Sequence, residues 1–186
     1  MPDLGEVVAR QYNPIVRAIR TIEKPVVCAV NGVAAGAGAN IAFACDIVVA
    51  SEDAIFIQSF GKIGLIPDSG GTFILPRIVG LQRAAALTML GEKLTAMHAK
   101  EWGLVYDVVP HIVLADTSID IARRLASLPT RGFGLTKRGF NAAFANDLDT
   151  QLALEEQLQA EAGRTADYAE GVRAFMEKRP PRFQGR

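Results

Sequence analysis

The chain has 186 residues, 49% of them apolar, and its 20 basic and 20 acidic side chains cancel. That length makes one domain with room for a core, and the ordinary composition excludes disorder, collagen and coiled coil. Balanced charge argues against nucleic acid or an anionic membrane as main partner, and two histidines with two cysteines write no metal-ligand cluster.

The opening Met-Pro-Asp-Leu-Gly-Glu has no basic start and no short apolar core, so no secretory signal is read and the cytoplasm is expected. Val7, Val8, Ile15, Val16, Ile19 and Ile22 recur at near-helical spacing, which predicts a helix over 6–22 that Pro25 stops. Residues 26–30 form a continuous apolar run and predict a fully buried strand with neighbours on both sides. Asn31-Gly32 turns the chain, and small residues lead into a short helix ending near Asp46. The run 26–45 raises the question of a membrane span. Asn31, Gly32, Gly36, Gly38 and Asn40 interrupt it, whereas a spanning helix wants about 20 uninterrupted apolar residues. Cys28 and Cys45 lie in that run and are expected as buried free thiols.

Two further strands, 47–50 and 54–58, flank the polar turn Ser51-Glu52-Asp53. A loop rich in glycine and proline covers 61–71, followed by helical patterns at 73–79 and 83–90. Thr95 is the expected cap of a helix over 96–102 that Gly103 ends, and a short strand is expected within 104–109. Helices at 114–128, 135–145, 148–162 and 168–178 complete the chain. This is a mixed α/β order, with a core over 1–110 and a helical part over 111–186. Few strands are on hand to flank 26–30, so a preceding strand-rich segment is expected.

Two segments can carry chemistry. In Asn31-Gly32-Val33-Ala34-Ala35-Gly36-Ala37-Gly38-Ala39-Asn40 a strand turns into a helix through small residues, which lets a ligand approach unpaired amides. A phosphate cradle, an oxyanion hole and plain helix–strand packing all fit, although Ile41 stands where the third glycine of G-x-G-x-x-G belongs. In Gly64-Leu65-Ile66-Pro67-Asp68-Ser69-Gly70-Gly71-Thr72, Pro67 stiffens the turn ahead of Asp68. Asp68 is then either a helix-capping acid or a general base held at fixed distance from a substrate.

These segments resemble the crotonase (enoyl-CoA hydratase/isomerase) superfamily. The resemblance starts with 24–38 and runs through Ala44-Cys45-Asp46-Ile47, Gly64-Leu65-Ile66-Pro67 and Gly70-Gly71-Thr72. It continues through Leu75-Pro76-Arg77-Ile78-Val79-Gly80, residues 99–105 and residues 170–175, collinear over nearly the whole chain. It implies a spiral of strand-strand-helix turns with a helical trimerisation part, assembled as a homotrimer or dimer of trimers. It also implies an acyl-CoA thioester substrate, with coenzyme A present only as part of that substrate and no other cofactor. Neither nucleic acid nor membrane is an expected partner. By position, Ala37 matches the residue giving the second of two oxyanion amides, the first of which lies upstream of Met1. Ala35, Gly36, Asn40, Phe60, Leu65 and Pro67 fall at substrate-binding positions, and Phe175 and Lys178 match residues that reach the coenzyme A of a neighbouring subunit.

Departures from the family pattern select the reaction. The two glutamates that manage water in the hydratases fall on Asn40 and Phe60, neither of which takes a proton, while Asp68 supplies a carboxylate where hydratases carry glycine. One carboxylate suffices for an isomerisation, since it removes a proton from one carbon and returns it to another. The Asp68 segment and Gly163-Arg164-Thr165-Ala166-Asp167-Tyr168 are similar to the branch of the family, from aerobic phenylacetate breakdown, that turns ring 1,2-epoxyphenylacetyl-CoA into an oxepin and also shifts double bonds in unsaturated acyl-CoA. Phe60 then suits an aromatic acyl group as an apolar wall, or simply packs. The alternatives are an enoyl-CoA hydratase and an inactive, truncated subunit that binds coenzyme A or serves assembly.

Overall fold

A computed structural model describes residues 3–186. The chain divides into two compact units, one running through Ile19 and over Val26–Ile119, the other formed by Arg20–Pro25 and Asp120–Arg186.

In the first unit, α1 (Leu4–Val7) is capped by the Asp3 carboxylate, which accepts from the amides of Gly5 and Glu6. The chain then widens into a π-helical turn, Val8–Tyr12, before α2 (Asn13–Thr21). The sequence periodicity leads one to expect a plain helix here; the π-turn is closed by the Asn13 amide on the Val8 carbonyl, which no residue type announces. The strands follow as β1 (Val27–Val30), β2 (Val33–Ala35), β3 (Ile47–Ser51), β4 (Ile55–Ile57), β5 (Lys93–Thr95) and β6 (Asp107–Val109). Between them lie α3 (Ala37–Ala44), α4 (Gly71–Leu90) and α5 (Ala96–Glu101).

Successive strands go to different sheets. β1, β3 and β6 form one parallel sheet in that order, while β2 pairs parallel with β4 and β4 antiparallel with β5. Each strand-strand-helix turn of the chain thus adds one strand to each sheet, so β1 meets β3 and β2 meets β4 one turn later. That is the expected spiral. The Asp46 carboxylate clips its start by accepting from the Val26 amide at 2.8 Å.

β1 differs from the expectation of a fully buried strand. Among the described residues it is an edge strand, and Ala29 is exposed. Neither cysteine is in a disulfide, as expected, but both are only half-buried and not enclosed; a hydrogen bond from Cys45 draws the Cys28 thiol below its usual range. The core gathers on the other strands and helices, with Phe43 and Phe56 rings 5.0 Å apart and Leu75 fully enclosed.

Helix α4 satisfies length and hydropathy criteria for a membrane span. It is two helices in series, because Gly80 adopts φ 77° and ψ 161°, and each piece is about half the length a bilayer requires. The expected pair at 73–79 and 83–90 meets at that break.

The second unit contains α7 (Thr130–Ala143), α8 (Leu148–Ala162), α9 (Ala166–Met176) and the C-terminal end of α6 (Leu114–Ala126). Arg131 bridges Glu23 and Glu161, and Asn141 exchanges hydrogen bonds with the Arg20 side chain and carbonyl. The tail folds back onto α9. The buried Asp167 carboxylate accepts from the amides of Gln184 and Gly185, and Glu170 accepts from the Arg179 guanidinium and the Arg182 amide. Those bonds, the Arg179 pair first, hold the Glu170 carboxyl at about 2.

Candidate active site

The turn between β2 and α3 has a backbone only glycine adopts easily. Gly36 sits at φ 54° and ψ −122°, its amide bonded to the Ile57 carbonyl at 2.8 Å. A Cβ there would also stand 3.4 Å from the Phe60 ring. Ala37 opens α3, so its N–H has no acceptor within the helix and lies at the positive end of the helix dipole.

Across from this turn runs the loop carrying Asp68. Its backbone is unusual, with Ser69 at φ 51° and Gly70 at φ 81° leading into α4. The buried Ser69 hydroxyl donates to Asp68 Oδ1 at 2.9 Å. The Asp68 carbonyl accepts twice, from the Gly71 amide at 2.8 Å and from Asn40 Nδ2 at 2.9 Å. Asn40 Oδ1 in turn accepts from Gln58 Nε2 at 2.8 Å. Asn40 is 0% exposed, and a Cβ on Gly71 would lie 2.3 Å from its Nδ2, so only glycine leaves room there.

A cavity of about 840 Å³ opens between the turn, the loop and the N-terminal helical stretch. Of the expected site residues, Ala35, Ala37, Phe60, Leu65, Pro67 and Asp68 line it. Asp68 is the one acid among the lining residues. Gly36 is buried behind the wall and shapes the turn. Asn40 corrects the expectation that it touches substrate: it is enclosed, with both ends of its amide engaged inside the protein. Phe175 and Lys178 belong to the other unit; Phe175 is 85% exposed on α9, and Lys178 follows at φ 52°.

Sequence reasoning missed Leu4, Val8, Tyr12 and Asn13, which also line the cavity. Nine residues at 3.6 per turn would put Asn13 on the face opposite Leu4, and the π-turn rotates it back. The apolar positions Val7 and Val8 were the available signal. Among the described residues no group of His, Cys, Asp and Glu could hold a metal ion. An uncharged donor end, an apolar wall and one tethered carboxylate suit proton transfer next to a carbonyl whose oxygen gains charge.

The family described as enoyl-CoA hydratase/isomerase matches residues 3–186. The 1,2-epoxyphenylacetyl-CoA isomerase of Escherichia coli is 55% identical over 185 residues, spanning 100% of this chain and 71% of that protein. A probable enoyl-CoA hydratase of Rhodobacter capsulatus is 46% identical over 184 residues, with 99% and 72% covered. The crystal structure of enoyl-CoA hydratase from Bacillus anthracis superposes with a TM-score of 0.94 at 34% identity, over 100% of this chain and 72% of that one. The fold is the crotonase fold.

Proposed function

Since the chain belongs to the enoyl-CoA hydratase/isomerase family, we propose that it isomerises acyl-CoA thioesters with Asp68 as the sole proton carrier. The observation that carries this reading is Asp68 itself, the one acid lining a cavity that also holds the first amide of α3. The thioester oxygen accepts from the Ala37 N–H. The carboxylate takes a proton from carbon beside the thioester, the electron pair delocalises onto that oxygen, and the proton returns at another carbon. Substrate and product are isomers, so no water or redox equivalent is consumed. Ring 1,2-epoxyphenylacetyl-CoA is the proposed substrate, supported by the name of the Escherichia coli relative and by the enclosed Phe60 wall. The bond between its two epoxide carbons breaks as the ring π electrons rearrange into the seven-membered oxepin, and the proton carrier moves the hydrogen beside the thioester to a ring carbon. Unsaturated acyl-CoA is the second. Coenzyme A enters only with the substrate, and the proposed assembly is a cytoplasmic homotrimer or dimer of trimers.

The hydratase reading has the Rhodobacter capsulatus and Bacillus anthracis names in its favour. Hydration needs a base for water and an acid for carbon, however, and Asn40 and Phe60 provide neither. Asp68→Asn tests the assignment: isomerase turnover falls about 10³-fold with KM little changed. Undiminished turnover removes Asp68 from the mechanism, and rapid formation of 3-hydroxybutyryl-CoA from crotonyl-CoA replaces isomerase with hydratase.

A further inference from the structure

Two buried amides stand behind Asp68, and their orientations follow from the acceptors they meet. The Asp68 carbonyl can only accept, so Asn40 must turn its Nδ2 towards it. Asn40 Oδ1 then faces Gln58, which must present Nε2. The chain of donors ends on Gln58 Oε1, which is buried with no partner, while Gln58 as a whole is 3% exposed. An unmatched acceptor in the interior lowers stability, and such groups persist where something else depends on them.

What depends on this one is the Asp68 loop. Ser69 and Gly70 are both left-handed, so no regular ladder fixes the path of the acid. Asn40 lies in α3, three residues after Ala37, and so reaches from the helix that carries the donor amide to the backbone of the acid. Gly71 leaves it room to do so.

We propose that Asn40, seated by Gln58, is a positioning residue that ties the Asp68 loop to helix α3 and so holds carboxylate and Ala37 amide at one fixed spacing. This rests on Asp68 being the proton carrier, as argued above. Asn40 touches no substrate; its effect passes through Asp68.

The experiment is a double-mutant cycle on isomerase turnover, with kcat and KM measured separately and thermal unfolding followed for every variant. Asn40→Ala lowers kcat about 10²-fold while KM stays within about threefold, as a displaced acid requires. In an Asp68→Asn background the same change has no further effect on kcat, because the group it positions has gone. Gln58→Leu exchanges the unmatched Gln58 Oε1 for an unmatched Asn40 Oδ1, so its unfolding temperature changes little while kcat falls about tenfold because Asn40 loses its seat; it serves as the second arm where Asn40→Ala does not fold. A kcat loss from Asn40→Ala that persists undiminished in the Asp68→Asn background, or a rise in KM at constant kcat, overturns the positioning role alone. Full turnover in Asp68→Asn overturns the Asp68 assignment and the positioning role together.

Discussion

Adding one methyl group to Gly71 tests how tightly the interior behind the loop is built. A Cβ there lies 2.3, 2.7 and 2.9 Å from the Nδ2, Cγ and Oδ1 of Asn40. That amide is not the loose end of a flexible side chain, since it is fully enclosed and bonded at both ends. To make room it must surrender two hydrogen bonds, about 1 kcal/mol each. Overpacking adds about 1–3 kcal/mol. Alanine in place of glycine at the start of α4 returns about 1 kcal/mol of helix propensity. Gly71→Ala therefore destabilises by about 2–4 kcal/mol, which in a chain of this size lowers Tm by about 5–15 °C. Circular dichroism during heating measures it. The companion Asn40→Ala/Gly71→Ala variant removes the clashing atoms, so its loss is smaller than the sum of the two single losses. A Gly71→Ala protein as stable as the parent, or additive losses in the pair, would refute the steric account.

Gly36→Ala forces a β-carbon into a left-handed turn and against the Phe60 ring, costing about 1–2 kcal/mol. It also displaces the Ala37 amide, so kcat falls more than stability does; steady-state kinetics beside a melting curve separates the two. The tail gives a pH test. Glu170 titrates at about 2 when folded against its ordinary 4.5, so its contribution is fully present above 4.5 and fades as pH falls towards 2. The Arg182 amide, which donates to Glu170, should hold its resonance position from neutrality to well below pH 4.5 and shift only as pH nears about 2, where the folded carboxyl takes its proton; in Glu170→Gln that transition disappears.

Elements whose reasons are local were legible in advance. Helix α8 spans Leu148–Ala162 as its pattern predicted, because the Asp147 carboxylate accepts from the Thr150 amide and marks the start. Thr95 caps α5 in the same way. Strands β2 and β5 are not legible in the sequence: each has only three residues and is defined by its pairing with β4, β2 buries no residue, and the single alternation of β5, Leu94 in between Lys93 and Thr95 out, is too short to stand out. The family resemblance alone puts Asn40 at the substrate, where a hydratase glutamate stands. Its partners lie 18 and 28 residues away, and no spacing rule points a side chain inward across that distance. The π-turn is a property of backbone carbonyls and left no mark in residue types.

The parallel ladder also sets an order of assembly. Val27 meets Ile47 across a short crossover, whereas Val49 waits for Asp107, nearly three times as far along the chain. Closing the longer excursion is the slower event, since more chain must be gathered before the pairing rewards it. A folding intermediate with β1, α3 and β3 docked would already display the Ala37 amide while the third strand was still searching. The cavity beside Asp68 would thus take shape from its α3 side outward.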